Sequence, residues 1–524
     1  DLGRLHLTLC FLRAFPDNRR VLERVTAELD AFASRVTRLG GSERERLVDA
    51  GIAGTTLHYP FSYEVATWLA RAFPGAAAID WAAFDEPARF EELLEHVLHH
   101  AETDYYDSGR VSTRDWIELA AEHRPGSDFD WLMSELHDRR HHARFWTSLY
   151  NAAEVPLVCT LAETSLSRTR NVFRPGRVRF RATPMQAAIV RPKAEIASPI
   201  RSIKLLDRKG GQALLDVAMA SLAVRHRETI HFNCANPAEV WIADVGRGVQ
   251  VAATGLLPEH RYPLECTMGF LILSNGVPIG YGGSSMLYRQ ANTGINIFEE
   301  YRGSEAAWLW VQVMRVFHAL SGCTRFVANP YQFGSENTEA LKSGAFWFYY
   351  RLGYRPVAAD VRKLARGEYA KVARGKGYRT PVDVLRKLAV CDMHLTLPAA
   401  RQADFFDEGW IELSSLLATQ QLARTGHRSR RRAQDALAHA LAKDLEIESM
   451  AAWSQEERRW FVRLSPVISA LYPGSWSAAD RRSLVVLMRA KGSELERDFA
   501  ARFGKHERLF NALKKACRRL AREH

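Results

Sequence analysis

The 524-residue sequence has few cysteines and lacks any long uninterrupted apolar run. Its seven cysteines are scattered and none forms a C-x-x-C pair, which excludes a disulfide framework and a thiolate zinc site. No apolar run reaches the roughly 18 residues that span a bilayer, so no membrane association is predicted. No signal peptide is apparent. The odd number and wide scatter of the cysteines indicate a reducing compartment, and we therefore expect a cytoplasmic protein.

Acidic residues are absent between Glu163 and Glu195, although the chain as a whole carries 60 of them and a net charge of +12. We call the stretch 168–193 the arginine segment. Two smaller basic clusters follow, at 424–432 and 514–522. Charge concentrated in this way favours an anionic partner, whether RNA, DNA or a phosphorylated small molecule. The basic residues of the segment are Arg168, Arg170, Arg174, Arg177, Arg179, Arg181, Arg191 and Lys193.

The arginine segment has two interpretations. The alternation RVRFR at 177–181 predicts a short strand with one arginine face. Its arginines either pair with acids of a helical domain and hold the domains together, or contact a phosphate backbone while Phe173 and Phe180 stack on bases. No RNA-binding motif is present, so a partner such as tRNA is predicted from charge alone.

Periodicity divides the chain into four parts. Apolar residues recur at helical spacings over 1–165, which predicts an all-α domain. Prolines interrupt 166–199, which we interpret as a basic linker. Strand and helix signals alternate over 200–400, and helical periodicity returns over 401–524. The predicted fold class is α+β, with a central mixed sheet and helices flanked by two all-α domains.

The central part has the clearest element signals. Strands are predicted at 248–257, 268–276, 277–288, 293–298 and 324–331, with Asn275-Gly276 as a hairpin turn. Helices are predicted at 214–228, 304–322 and 335–354, the last with Ser335 as its N-cap.

Two motifs occur in this part. Residues 302–307, RGSEAA, follow a strand and open a helix, and Asn337 and the run YYRLGY at 349–354 follow farther along. The stretch 265–357 thereby resembles the GCN5-related N-acetyltransferase (GNAT) superfamily. That family has Q/R-x-x-G-x-G/A at a helix start after a strand, and then an asparagine, a helix and Tyr-x-x-x-Gly-Phe. The resemblance extends over 200–400 if 200–265 supplies the family's opening helices and first strand.

The resemblance implies an N-acyltransferase that moves an acyl group from acetyl-CoA or another acyl-CoA to an amine of a small molecule or peptide. Tyr349 would be the general acid toward the departing thiolate, and Asn337 would fix the pantetheine region. Glu299 or Glu300, at the end of the fourth predicted strand, is the candidate general base, and only one of them should face the cleft. The predicted cofactor-binding residues are Ile297, Phe298, Arg302, Gly303, Ser304, Glu305, Ala306, Ala307 and Asn337.

The sequence departs from the family pattern at two places. Glu305 replaces the middle glycine of the loop, and a carboxylate about 4 Å from a pyrophosphate costs roughly 1–4 kcal/mol unless it turns away. The alternative is an ordinary first-turn acid. The span from Asn337 to Tyr349 is longer than usual, which predicts an inserted turn at Ser343-Gly344.

Three function hypotheses therefore stay open: acyl-CoA-dependent transfer, transfer of an aminoacyl group from tRNA on a related fold, and a non-catalytic GNAT-like binding module. Tyr349 and Tyr350 can equally be aromatic core. GYGGSS at 280–285 lacks the lysine of a phosphate loop and predicts a bulged strand. Several histidines and acids recur at helical spacing and are either surface residues or metal ligands. We predict no metal site from them. These residues are Glu92, His96, His99, His100, His137, Asp138 and His141.

Overall fold

The computed structural model of the protein describes residues 2–85, 87–138, 143–173, 176–181, 191–303, 305–375, 377–401, 405–407 and 409–523. The N-terminal part is mainly helical. Its helices are α1 (Leu2–Ala14), α2 (Arg19–Asp30), α3 (Phe32–Thr37), α4 (Gly41–Glu45), α5 (Tyr63–Ala72), α6 (Pro87–Val97), α7 (Thr103–Asp107), α8 (Thr113–Ala121), α9 (Asp128–Asp138) and α10 (Ala143–Ala153).

The N-terminal part is not all-α, so that prediction is wrong. Three strands, β1 (Thr55–Tyr59), β2 (Ala77–Ile79) and β3 (Leu157–Leu161), form an antiparallel sheet in the order β1-β3-β2. These strands are three to five residues long and their partners are distant in sequence, so their apolar residues merge into the surrounding helical pattern.

The predicted strand at 177–181 is also absent from the described residues. The Arg179 amide donates to the Asn275 side chain at 2.8 Å, and the Arg181 amide donates to the Pro16 carbonyl at 3.0 Å. These two amides therefore donate to a turn side chain and to a loop carbonyl. They do not form the backbone hydrogen bonds of a strand pair.

The central part is built on one nine-stranded sheet in the order β11-β12-β10-β9-β8-β7-β6-β5-β4. Every pair is antiparallel except β9 and β10, which are parallel. The strands are β4 (Ser202–Leu205), β5 (Ala235–Gly246), β6 (Val249–Leu256), β7 (Cys266–Ser274), β8 (Val277–Leu287), β9 (Gln290–Ile297), β10 (Arg325–Ala328), β11 (Arg355–Pro356) and β12 (Met393–Thr396).

The predicted central elements are present, but their bounds differ. The helix predicted at 214–228 begins at Arg208 and ends at Ala223, and the strand predicted at 324–331 ends at Ala328. Gly344 adopts a left-handed backbone (φ 68°) that splits the predicted helix at 335–354 in two, and Asn337 rather than Ser335 is the N-cap. The predicted inserted turn at Ser343-Gly344 is therefore present. The central helices are α11 (Pro192–Ala197), α12 (Arg208–Ala223), α13 (Ile230–Asn233), α14 (Ala306–Ser321), α15 (Thr338–Ser343), α16 (Ala345–Arg351), α17 (Ala359–Arg374) and α18 (Val382–Leu388).

The C-terminal part is helical throughout its described residues, and a buried ionic cluster joins it to the sheet. Arg261 lies 3.8 Å from both Glu239 and Glu496, Lys491 pairs with Glu496, and all four side chains are fully buried. The helices are α19 (Gly409–Arg424), α20 (Arg430–Asp444), α21 (Gln455–Ser469), α22 (Ala478–Lys491), α23 (Glu496–Phe503) and α24 (Glu507–Glu523).

The three parts share one contiguous apolar core. The end of the predicted linker belongs to the central part, because α11 packs on α14 and Gln312 donates to Glu195 at 2.9 Å. The α+β class with helical flanks is thus confirmed. Among the described residues, no helix combines the length and apolar character that a membrane span requires.

Candidate functional site

β9 and β10 form a cleft because they pair over only part of their length. Residues 325–327 of β10 are in register with residues 290–292 of β9. β9 continues to Ile297, whereas β10 ends at Ala328 and the chain turns into a 3-10 helix at Pro330–Phe333. Within the described residues, the β9 edge over 293–297 therefore has no strand partner on this side. Such an edge offers backbone donors and acceptors to an extended ligand, and we call this opening the β9 cleft.

Three glycines cross the sheet beside the β9 cleft. Gly269 pairs with Gly283, and Gly283 pairs with Gly294. A β-carbon on Gly283 would lie 2.2 Å from the His231 ring, and one on Gly294 would lie 2.8 Å from Gln332 Nε2. Only a residue without a side chain leaves space for the His231 ring and the Gln332 side chain over these strands. The three glycines therefore form a depression in the sheet, which we call the glycine trough. Because paired strand residues are about 5 Å apart, the His231 ring and the Gln332 amide lie side by side.

His231 projects from the short helix α13 into the glycine trough. Neither ring nitrogen has a hydrogen-bond partner among the residues that the structure describes. Burial lowers the pKa of His231 to about 4, so the imidazole is neutral at pH 7. The unshared ring nitrogens place a neutral hydrogen-bonding group in the trough, but a pKa this low makes His231 a weak proton acceptor at pH 7.

Tyr349 lies on the other side of Gln332. Its hydroxyl donates to Gln332 Oε1 over a long 3.5 Å, and its ring packs edge-on against Trp310 and Phe333. Burial raises the pKa of Tyr349, so the phenol keeps its proton at neutral pH. Tyr349 is thus part of the aromatic core, and its hydroxyl is also linked through Gln332 to the glycine trough.

A cation lies at the rim of the same face. The Arg227 side chain is exposed, and no hydrogen bond or ion pair of it is found among the described residues. Burial raises the pKa of Tyr281, and the nearby positive charge of Arg227 opposes that rise. Tyr281 pairs in register with Asn296 of the open β9 edge. Arg227 therefore places one exposed positive charge near Tyr281, whose strand partner lies on the open β9 edge.

The predicted pyrophosphate loop precedes α14, and a carboxylate already occupies the start of that helix. Glu305 is the N-cap residue and is 5% exposed. Arg181 donates to its two oxygens at 3.1 and 2.5 Å, and Arg247 donates to it at 3.3 Å. The guanidinium groups also lie over aromatic rings, Arg181 over Phe15 and Arg247 over Trp308. We call these three charged residues the Glu305 triad.

The described residues around the Glu305 triad form no phosphate cradle. A β-carbon on Gly303 would meet nothing within 4 Å, so the backbone there makes no close approach that requires glycine. Arg302 donates to the Ile297 carbonyl at 3.1 Å and to Glu339 at 3.0 Å. Ala306 and Ala307 form the first turn of α14, and Ser304 lies outside the described residues. The pyrophosphate of an acyl-CoA does not fit this arrangement, because its charge would meet the Glu305 carboxylate.

The two candidate bases after β9 differ in environment because they lie in a 3-10 turn, Glu299–Tyr301, rather than in the strand. Glu299 is exposed. Glu300 is buried, and Arg168 and Arg225 donate to it at 2.6 and 2.5 Å. Burial acts to raise the pKa of Glu300, but Arg225 and Arg168 outweigh it and the result is about 2. A carboxylate held in this way is a poor proton acceptor at neutral pH, and it joins the arginine segment to α12.

The remaining predicted cofactor residues have structural contacts. Asn337 caps α15, since its Oδ1 accepts from the Ala340 amide at 3.0 Å and its Nδ2 donates to the Tyr331 carbonyl at 3.1 Å. Ile297 and Phe298 are buried, and the Arg225 guanidinium lies 3.8 Å from the centre of the Phe298 ring. Their roles in cofactor binding stay predictions.

The arginine segment contains both internal and exposed cations. Arg168 and Arg181 pair with Glu300 and Glu305, and Arg170 pairs with Asp30 and Glu163. The first two pairs fasten the segment to the central part, and the pairs of Arg170 fasten it to the N-terminal part. Arg174 lies outside the described residues. The exposed cations, for which the described residues provide no ion-pair partner, are Arg177, Arg179, Arg191 and Lys193.

The other motifs have structural explanations. GYGGSS lies in β8 next to a register shift, as the bulged-strand interpretation predicts. α6 ends at Val97, so His99 and His100 do not continue the helical face of Glu92 and His96. Asp138 is the last residue of α9, and His141 lies outside the described residues. In the described ranges no group of three or more His, Cys, Asp or Glu side chains is arranged to hold a metal ion.

Comparison with protein-family models, with curated proteins and with solved structures finds no match for this chain. The site therefore has to be judged on its own geometry.

Of the residues around the β9 cleft, the sequence motif singles out Tyr349 but not His231, Gln332 or Arg227, and the role of Tyr349 stays a prediction. The available signal was GYGGSS, because glycines within a buried strand indicate that another group comes close to the backbone. The identity of that group, His231, is set by tertiary packing across some fifty residues of sequence.

Proposed function

We propose that this chain transfers an acyl group to an amine in the β9 cleft, as its resemblance to the GNAT superfamily implies. The observation that carries the proposal is the open edge of β9 beside a trough that holds His231 and Gln332, with the Tyr349 hydroxyl bonded to Gln332. The order of helix, antiparallel strands, strand, helix, strand and helix supports it further.

The reaction requires two proton transfers. The amine loses a proton as its nitrogen bonds to the acyl carbon, and the leaving group gains one as its bond to that carbon breaks. Neutral His231 would accept a hydrogen bond from the amine and orient it, while the first proton passes to water, and protonated Tyr349 is suited to donate the second. Arg227 at the rim would attract an anionic donor or acceptor.

The properties of Tyr349 favour an ester donor over a thioester donor. A thiol has a pKa of about 8.5, so a thiolate leaves without much help from an acid. An alkoxide is far more basic and needs a proton when it leaves. A buried phenol with a raised pKa is therefore better matched to an alkoxide than to a thiolate.

A second candidate function is transfer of an aminoacyl group from tRNA. It is favoured by the match between the Tyr349 phenol and an alkoxide leaving group, and by the Glu305 triad. Aminoacyl-tRNA carries its acyl group as a ribose ester, and its phosphates need not bind at the start of α14. The exposed cations of the arginine segment would be available to its backbone. The third hypothesis, a non-catalytic module, predicts that the cleft binds a ligand without turnover.

The test uses hydroxylamine as a small generic amine and measures the acyl hydroxamate that forms. Two donors are compared, acetyl-CoA and aminoacylated bulk tRNA. We expect hydroxamate above the uncatalysed rate from the tRNA donor, and little from acetyl-CoA. Turnover of acetyl-CoA alone would restore the acyl-CoA hypothesis. Absence of turnover with both donors would leave the non-catalytic module as the surviving hypothesis.

A further inference from the structure

A basic groove runs along the C-terminal helix, and its lining residues are separate from those of the β9 cleft. It has a volume of about 960 Å³ and lies between α24 and residues 470–476. Its cations are Arg508, Lys514, Lys515, Arg518, Arg519 and Arg522. Glu523 is its only acidic lining residue among those described, and it lies 3.9 Å from Arg519. The groove therefore has a strong excess of positive charge.

The cations follow the helix in a line rather than surrounding a point. Arg508, Lys515, Arg519 and Arg522 recur at spacings of seven, four and three residues, which places them on one face of α24. At 1.5 Å per residue, the line from Arg508 to Arg522 is about 21 Å long. A line of this length matches an extended polyanion better than a single phosphate group.

A second basic cluster, distant in sequence, lies toward the same end of the helical bundle as the end of this line. α19 runs parallel to α24, since Trp410 contacts Cys517 through its carbonyl and Leu417 packs with Leu520. The C-terminus of α19 therefore lies at the same end of the bundle as Arg522. The turn that follows carries exposed Arg424, Arg428 and the start of α20 with Arg430 to Arg432.

An aromatic side chain lies at the other side of the groove. Tyr472 is 61% exposed, although most aromatic rings of this molecule are buried. It adopts a left-handed backbone (φ 53°), a strained conformation for a residue with a side chain. An exposed ring beside a row of cations is the arrangement by which proteins stack bases while binding a sugar-phosphate backbone.

We propose that this groove, together with the turn after α19, binds single-stranded nucleic acid. The backbone phosphates would lie along the cations of α24 and a base would stack on Tyr472. This inference goes beyond the proposed function and does not depend on it, because binding here needs no donor and no reaction in the β9 cleft. If tRNA is the donor, the groove is a second contact for it.

The test measures the fluorescence anisotropy of a labelled 20-nucleotide oligouridine, and of oligothymidine of the same length, with the full chain. The groove variant is Lys515→Gln, Arg519→Gln, Arg522→Gln. The matched control, Lys363→Gln, Arg366→Gln, Arg374→Gln, removes the same charge from exposed positions on α17. Circular dichroism and the melting temperature check that both variants fold.

We expect the groove variant to bind at least tenfold more weakly at 100 mM salt. The steepness of its plot of log K against log salt concentration should fall by about two, because each phosphate contact contributes about 0.7 to that slope and three cations are removed. The control should stay within twofold of the wild type. Tyr472→Ala should weaken binding several-fold without changing the slope. Comparing the two oligonucleotides shows whether RNA or DNA is preferred.

Two results would overturn the inference. One is equal weakening by the groove and control variants, which would show attraction by net charge alone. The other is the absence of binding to either oligonucleotide at 50 mM salt. Both results are independent of the hydroxamate assay, so failure here is distinguishable from failure of the proposed function.

Discussion

Glycines of the central part differ in how much space surrounds them. This difference distinguishes the glycine trough from the loop that the family motif predicts to bind pyrophosphate. Gly283 has the His231 ring directly over it, whereas Gly303 faces open space. Of these two glycines, the one that requires the absence of a side chain is therefore in the trough and not in the motif.

Replacing Gly283 with alanine tests this contrast. Its β-carbon would require the His231 ring to move, so we expect hydroxamate formation to fall at least tenfold and the free energy of unfolding to fall by about 1–3 kcal/mol. Gly303→Ala is the matched control and should change neither. Equal behaviour of the two variants would contradict the role of the trough.

His231 has a second measurable property at the residue scale. Its folded pKa of about 4 lies below the ordinary value of 6.5, so the unfolded state binds a proton first as the pH falls. The stability contributed by the neutral ring is present above pH 6.5 and is lost as the pH falls toward 4. An NMR titration, assigned with His231→Gln, should give a pKa near 4. A value near 6.5 would mean that the ring is solvated outside the trough.

At the scale of elements, the start of α14 is neutralised by the protein itself. The helix dipole and two guanidinium groups form an anion site, and Glu305 occupies it with its own carboxylate. The sequence interpretations of Glu305 were a helix-start acid or an obstacle to pyrophosphate. In the structure it is a helix-start acid that also fastens the arginine segment.

The variant Glu305→Gln should uncover this anion site. We expect calorimetry with CoA to detect binding to the variant and none to the wild type at millimolar ligand, because the carboxylate charge that opposes a pyrophosphate at the start of α14 would be gone. The variant should lose about 1–3 kcal/mol of stability, since Arg181 is largely buried. Equal CoA binding by both proteins would show that Glu305 does not exclude the cofactor.

Elements with local signals could be predicted, and those set by distant contacts could not. Asn275-Gly276 predicted the hairpin between β7 and β8, and both residues indeed have positive φ. The short strands β1 to β3 pair across about a hundred residues and left no local signal. In the site, Tyr349 came from a motif, whereas His231 and Gln332 are recognised only from the glycines they cover.

At the scale of the whole molecule, the three parts are held together by buried charges as well as by apolar packing. The cluster of Glu239, Arg261, Lys491 and Glu496 joins β5 and the loop after β6 to α22 and α23. The C-terminal helices are thus fastened to the sheet that forms the site.

Lys491→Met should be strongly destabilising, because it leaves the Glu496 carboxylate buried without its ammonium partner. We expect a loss of about 3–5 kcal/mol in the free energy of urea unfolding. The exposed pair Arg459–Glu456 provides the control, and Arg459→Gln should cost less than about 1 kcal/mol. A small effect of Lys491→Met would indicate that the C-terminal part is not locked to the sheet by this cluster.

The central claim is that the β9 cleft is a site of acyl transfer with Tyr349 as proton donor. Two adjacent buried tyrosines allow it to be tested directly, since Tyr349 bonds to Gln332 and Tyr350 packs on Tyr369 and Arg355 away from it. The measurement is the rate of hydroxamate formation from aminoacylated tRNA by Tyr349→Phe and Tyr350→Phe. We predict a loss of about 10²–10⁴-fold for Tyr349→Phe and less than threefold for Tyr350→Phe. An unchanged rate in Tyr349→Phe would contradict the account.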